Sequence, residues 1–265
     1  MSFINKILER DTNNFVIKKI QKKLAKIGKI YFVPTSLNSL PENNYEMTWN
    51  INYQEDLIKK FEENNRINSF NTFPEILKIL EKSFTDRNNI LNFLDFGGEN
   101  IDYYLHIQKN FQNINYFVFN KKKINDSLIK LKRKYNFKNL NVINKFDQIK
   151  NQKYDFVNFG SVIHYVNNYE ETLSEIIKVS KKFIMFSGTH FYDSPSKKKN
   201  IIVKQVNLLP KKYYCYFFNF DNFLEILKKN DFLVVSKDKN TTDKLNYSNF
   251  KHLFDIQYTD LLLSK

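Results

Sequence analysis

The sequence predicts a doubly wound α/β fold, and three observations carry that prediction. From about residue 89, short apolar runs alternate with amphipathic stretches of helix length. Four of only five glycines stand at the ends of those apolar runs, where strand would turn into helix. The last two runs, FLVVSK (232–237) and YTDLLLSK (258–265), resemble a terminal antiparallel pair. Strand and helix alternating at this spacing pair in parallel through right-handed crossovers, which builds one mostly parallel sheet covered on both faces.

The elements follow in order. Residues 1–30 read as basic and helical, with Ile17, Ile20, Leu24 and Ile27 at helical spacing and Lys18, Lys19, Lys22, Lys23 and Lys26 between them. Such a helix either packs on the main domain with its lysines in solvent or makes weak contact with a membrane surface. A loop with Pro34 and Pro41 leads to two helices, near 53–64 and 72–84, with Pro74 suited to a first turn. Residues 1–85 are therefore expected to form a helical extension packed on the core. Then come ILNFLDF (90–96) as a buried strand, IDYYLHIQKN as a helix and NINYFVFN (113–120) as a second strand. A helix with Ile124, Leu128, Leu131 and Tyr135 on one face precedes NLNVIN (139–144) and YDFVNFG (154–160), strands three and four. NYEETLSEIIKVS is a helix with Asn168 and Glu171 spaced like a capping box, and KFIMFS (182–187) is strand five. A long segment with Pro195, Pro210 and YYCYFFNF (213–220) precedes a helix near 221–229. Residues 86–265 then form the α/β domain, with an insertion or cap near 189–218.

Composition narrows the class. The 265 residues are 42% hydrophobic, enough for a sizeable core. No apolar run approaches the ~18 residues of a membrane span, and no secretory signal is visible, so a cytoplasmic setting is expected. Cys215 is the sole cysteine, which excludes an intrachain disulfide and a cysteine metal cluster. The net charge of +14 invites a nucleic-acid partner, yet lysines number 42 − 4 = 38 against the four arginines 10, 66, 87 and 133. Ala25 is the only alanine, so the bias follows AT-rich codons. Arginine, the better reader of phosphate, is nearly absent, and nucleic acid is disfavoured as a substrate.

Average glycine usage of ~7% would give about 18 glycines. Here Gly97 and Gly98 follow the first strand, Gly160 ends the fourth and Gly188 follows the fifth. Ligands of open α/β sheets bind at the carboxyl ends of the strands, so this placement marks a ligand rim, unless the turns themselves need glycine. GGENID is not a G-x-G-x-x-G fingerprint, no P-loop or G-x-S-x-G elbow exists, and His106, His164, His190 and His252 are scattered. What remains is an acidic residue two before a glycine at the end of strand one.

That pattern resembles the first motif, D-x-G-x-G-x-G, of class I S-adenosylmethionine-dependent methyltransferases. FLDFGG, YDFVNFGSVIHYVNNYEETL, FIMFSGTHF and VKQVNLLPKKYYCYFFNFDNFLEIL occur in that order. Together they resemble a bacterial methyltransferase-like family linked with cell-surface polysaccharide biosynthesis, over about residues 90–236. The resemblance implies a Rossmann-like fold, S-adenosyl-L-methionine as cofactor and a small-molecule or glycan substrate. It carries Asp95, Gly97 and Gly98 onto the first motif, with Glu99 and Ile101 standing where later glycines belong. It makes Asn120 the nearest candidate for the ribose hydroxyls, and Phe146 and Asp147 the flanks of the adenine. Gly160 and Ser161 would lie where cofactor and substrate meet. SGTHF departs from the family's DRTPF, with Ser187, Gly188 and His190 replacing Asp, Arg and Pro.

A sugar hydroxyl is a poor nucleophile, so a general base helps its methylation. His164, just past the fourth strand, is the first candidate and His190 the second. Tyr165, Thr189, Gln205 and Tyr214 are expected around the substrate. No metal is expected. The alternative is a diverged relative that binds without catalysing.

Overall fold

The structure is a computed structural model that describes residues 3–12, 14–41, 50–64, 73–84, 90–194, 199–209, 213–240, 245–250 and 255–265. The N-terminal part holds α1 (Phe3–Glu9), α2 (Phe15–Ile27), β1 (Phe32–Pro34), α3 (Ile51–Asn64) and α4 (Phe73–Ser83). The single basic helix expected over 1–30 is thus two helices. Asn14 starts the second by accepting from the backbone N–H groups of Val16 (2.9 Å) and Ile17 (3.3 Å). The stretch read as a loop at Pro34 contains a short strand instead.

The main sheet is built from β2 (Leu91–Phe96), β3 (Ile114–Phe119), β4 (Leu140–Ile143), β5 (Tyr154–Gly160) and β6 (Ser180–Asp193). They pair in parallel in the order β4-β3-β2-β5-β6. Helices α5 (Asp102–Asn110) and α6 (Lys122–Lys134) cover one face beside α3 and α4, while α7 (Tyr169–Val179) covers the other. The Asn168 side chain makes no capping bond at α7, so the expected capping box does not form. Two more strands complete this wing: β10 (Asp255–Ser264) lies antiparallel between β6 and β9 (Leu233–Lys239). Here β9 is an exposed edge, with Leu233 and Val235 facing solvent, rather than a buried strand.

Two aromatic ladders set the register. Phe119, Phe96, Phe159 and Phe186 occupy paired positions on four adjacent strands, with ring centroids 4.9–5.1 Å apart. Three residues earlier, and so on the opposite face, Tyr116, Phe93, Phe156 and Phe183 repeat the arrangement at 5.0–5.9 Å. A one-residue slip would move both rows to the wrong face, so each ladder specifies the same pairing.

The segment expected as an insertion or cap near 189–218 is built into the sheet. Strand β6 runs on through Asp193, past the expected end at residue 187. Its far end pairs with β8 (Tyr213–Asn219), which pairs with β7 (Ile201–Gln205), which pairs with β1. All seven residues of β8 are buried, so this wing is core. Pro195 and Pro210 lie outside the described residues. After β8 comes α8 (Phe220–Lys228), packed on the face that α7 covers.

Candidate active site

The carboxyl ends of β4, β3, β2 and β5 stand side by side, and the loops leaving them carry the expected cofactor residues. Asp95 turns inward from β2. Tyr116 Oη donates to its Oδ2 at 2.8 Å and Asn158 Nδ2 to its Oδ1 at 2.9 Å. Burial raises its pKa to about 6 against those two bonds, which lower it. Gly97 has φ +81°, and a Cβ there would fall 2.5 Å from Val162 Cγ2. A Cβ on Gly98 would fall 2.1 Å from Asp95 Oδ2. The chain's own packing therefore demands this glycine pair, with or without a ligand.

Asn120, leaving β3, clamps the loop. Its Nδ2 donates to the carbonyls of Gly97 and Gly98, both at 2.9 Å, and its Oδ1 accepts from the Lys121 N–H at 2.7 Å. Expected as a ribose partner, it is first of all a brace for the glycine turn. Beyond the glycines, Glu99 is half-buried, and its pKa is raised to about 7 by burial first and then by the charges of Asp95 and Asp102. Ile101 is buried in the core, and its N–H donates to Gln54 Oε1 at 2.9 Å. Gln54 also donates to Asn100 Oδ1 at 2.8 Å, so α3 holds the loop from the far side. Nothing in the sequence marked Gln54; it belongs to no motif, and only its burial reveals it.

After β4, Phe146 opens a 3-10 turn and sits edge-on to Phe119 (5.9 Å) and Phe96 (6.4 Å). Asp147, expected beside the adenine, points into solvent and pairs with Lys150 at 3.2 Å.

After β5, Gly160 differs from the other rim glycines. It has no positive φ, and a Cβ on it would meet only Asn158 Nδ2, at an ordinary 3.4 Å. Neither backbone strain nor internal packing explains a glycine there. Ser161 is exposed and takes φ +51°, a conformation that costs a non-glycine residue roughly 1–3 kcal/mol. Its N–H donates to Ser187 O at 2.8 Å, and its Oγ lies 2.9 Å from Tyr258 Oη. Gly188 (φ +57°) lies beneath both hydroxyls and donates its N–H to Asp260 Oδ1 at 2.7 Å.

The two candidate bases are enclosed. His164 and His190 are 1% and 2% exposed, with ring centroids 4.6 Å apart. Burial lowers the His164 pKa to about 3, and its Nδ1 has no hydrogen-bond partner among the described residues. Burial, then the neighbouring His164, holds His190 well below the usual range; its Nδ1 lies 2.8 Å from Tyr247 Oη. Both imidazoles are therefore neutral and closed off from solvent. Among the expected substrate contacts, Tyr165 donates to Gln205 Oε1 at 2.8 Å, bringing those two together. Thr189 and Tyr214 lie inside the core.

No protein-family model and no curated protein matches the chain. Solved structures do resemble it. The O-methyltransferase of a trans-AT PKS multienzyme from Brevibacillus brevis, in complex with S-adenosyl-L-homocysteine, superposes with a TM-score of 0.54 at 13% identity, over 87% of this chain and 84% of its own. The N-terminal domain of EvdMO1, in the presence of SAH and D-fucose, gives 0.53 at 10% identity, over 83% and 98%. An S-adenosylmethionine-dependent methyltransferase from Clostridium acetobutylicum gives 0.51 at 9% identity, over 81% and 99%. At such identities the likeness shows the fold: the Rossmann-like α/β sheet of class I methyltransferases, with its antiparallel terminal strands.

Proposed function

We propose that this chain is an S-adenosylmethionine-dependent methyltransferase acting on a hydroxyl of a small molecule or glycan. The observation that carries the reading is Gly160, a glycine that the fold itself does not need, on the rim where such folds bind ligands. Phe146, the braced Gly97–Gly98 turn and exposed Ser161 lie in the loops that leave the strand ends along the same rim. Asn120, Phe146 and Glu99 would hold the cofactor, which supplies the methyl group when bound. A half-buried Glu99 suits a ligand that carries positive charge. A sugar acceptor, including one destined for a surface polysaccharide, is supported by the family resemblance and by the D-fucose reported with EvdMO1.

The chain's own contribution is to orient the acceptor and exclude water. Ser161 and Tyr258 are the hydroxyls that an acceptor meets first, and they are already paired with each other. The neutral histidines form the wall behind Tyr258, whose ring lies 4.9 Å from that of His190. In this reading His190 positions the tyrosine, and the Ser161–Tyr258 pair orients the acceptor hydroxyl, whose proton passes to solvent as the methyl group leaves the sulfonium. Tyr258→Phe is expected to lower kcat by tenfold or more with S-adenosylhomocysteine affinity unchanged, as initial rates and calorimetry report. Loss of both together would make the residue structural.

The binding test uses pH. A carboxyl whose pKa is raised in the folded state stabilises the fold below its ordinary pKa, and that contribution is lost as pH rises through 6 to 7 for Asp95 and Glu99. A cationic sulfonium favours the ionised form, so it binds better as these groups lose their protons. S-adenosylhomocysteine lacks that charge. The affinity ratio of S-adenosylmethionine to S-adenosylhomocysteine is therefore expected to rise severalfold from about pH 5.5 to 7.5. Titration calorimetry measures both ligands. A flat ratio would remove Glu99 from the site, and no heat with either ligand would overturn the methyltransferase reading.

A non-catalytic binding protein is the second reading. The burial of Ile101 where a loop glycine is expected, together with the enclosure of both histidines, favours it. Binding without turnover across a panel of sugars and phenols would select it.

A further inference from the structure

Helix α2 packs with the wrong side inward. Its buried residues are Gln21 and Ala25, while Val16, Ile20 and Ile27 are 62%, 49% and 71% exposed. At 3.6 residues per turn those three fall within about 40° of one another, a continuous apolar stripe. A helix of a globular protein normally turns such a stripe to the core. Polar contacts hold α2 in this orientation. Gln21 Nε2 donates to the carbonyls of Ile7 (2.7 Å) and Arg10 (2.8 Å), which locks α2 against α1.

The pair is fixed to the body by Lys204 of β7, itself 1% exposed. Its ammonium donates to the carbonyls of Glu9 (3.2 Å) and Arg10 (3.0 Å) and pairs with Asp11 at 2.9 Å. A small apolar cluster completes the seat, with Leu8, Leu24 and Ala25 packed on Val33, Val206 and Leu209, so the hairpin is anchored while the stripe of Val16, Ile20 and Ile27 stays outward. Lys19, Lys23 and Lys26 border that stripe, and α2 contains no acidic residue.

We infer that α2 docks this protein on a membrane surface bearing anionic phospholipid headgroups, with the isoleucine stripe at the acyl boundary and the lysines at the phosphates. Apolar stripe and basic border together are what an interfacial helix needs. A second copy of the chain is a poor occupant, because two such faces would set lysine against lysine.

The test is co-sedimentation of the full chain with vesicles of phosphatidylcholine and phosphatidylglycerol in equal parts, and with phosphatidylcholine alone. Binding to the mixed vesicles is expected to be at least tenfold tighter and to weaken with salt. Replacing Lys19, Lys23 and Lys26 by Gln together is expected to cost on the order of a hundredfold. The double variant Ile20→Glu, Ile27→Glu is expected to abolish binding with the thermal midpoint unchanged, since neither side chain is in the core. Full binding by that variant, or equal binding to neutral vesicles, or binding to neither, would overturn the proposal. So would light scattering that shows a wild-type dimer turned to monomer by the isoleucine changes.

Discussion

Phe156→Ala is expected to lower the free energy of unfolding by about 3–5 kcal/mol. Phe156 is fully buried on β5, stacked on Phe93 at 5.1 Å and tilted against Phe183 at 5.9 Å. Its loss empties a rung between two others, and neither flanking ring can move inward without leaving its own strand pair. Domains are stable by only ~5–15 kcal/mol, so the variant would keep a fraction of its margin. Urea denaturation measures it. A loss below about 1 kcal/mol would mean that the ladder is decorative and that register is set elsewhere.

Gly160→Val is expected to weaken S-adenosylhomocysteine binding by about a hundredfold while leaving the unfolding midpoint within a few degrees of wild type. The Cβ itself meets only ordinary contact, and β-branched residues suit a strand end. Filling space meant for a ligand costs as overpacking does, about 1–3 kcal/mol or ten- to a hundredfold. Gly160→Ala should fall between. Gly97→Val makes the useful contrast: it collides with Val162 and needs a left-handed backbone, so it is expected to damage the fold along with any site. Normal binding by Gly160→Val would move the cofactor away from this rim.

These two glycines show what was legible in the sequence and what was not. The alternation of strands and helices from residue 89 led correctly to the doubly wound sheet, because a half-buried helix and a buried strand leave different spacings. The clustering of glycines at strand ends points to a ligand rim, but packing within the chain accounts for three of the four. Gly97, Gly98 and Gly188 are required by Val162, Asp95 and the Ser161–Tyr258 pair, residues remote in sequence that no local pattern could bring together. The strands of the second wing were missed because β7 and β1 are short, and because β6 continues through a glycine at positive φ that reads as a strand end. Spacing sets His164 just past the fourth strand, but the burial of His190 depends on β1, β8 and Tyr247 closing over it, which no local pattern carries. Helix α2 differs in another way: most of its lysines are in solvent, as expected of a helix packed on the body, yet of its spaced apolar residues only Leu24 turns to the packed cluster.

The position of β10 has a consequence for how the protein comes into being. Among the described strands it comes last in chain order, and it lies between β6 and β9. Until residues 255–264 have been made, β6 and β9 lack the strand that joins them, and β9 has no other partner among the described strands. That insertion is a long-range, late step of the kind that slows folding and exposes edges to aggregation. Tyr258 and Asp260 arrive on the same strand, so their bonds to Ser161 and Gly188 form only when the sheet is closed. A ribosome-bound chain halted before residue 255 would hold the glycine turn without Tyr258 and Asp260, so on the proposed reading the acceptor's side of the site forms last.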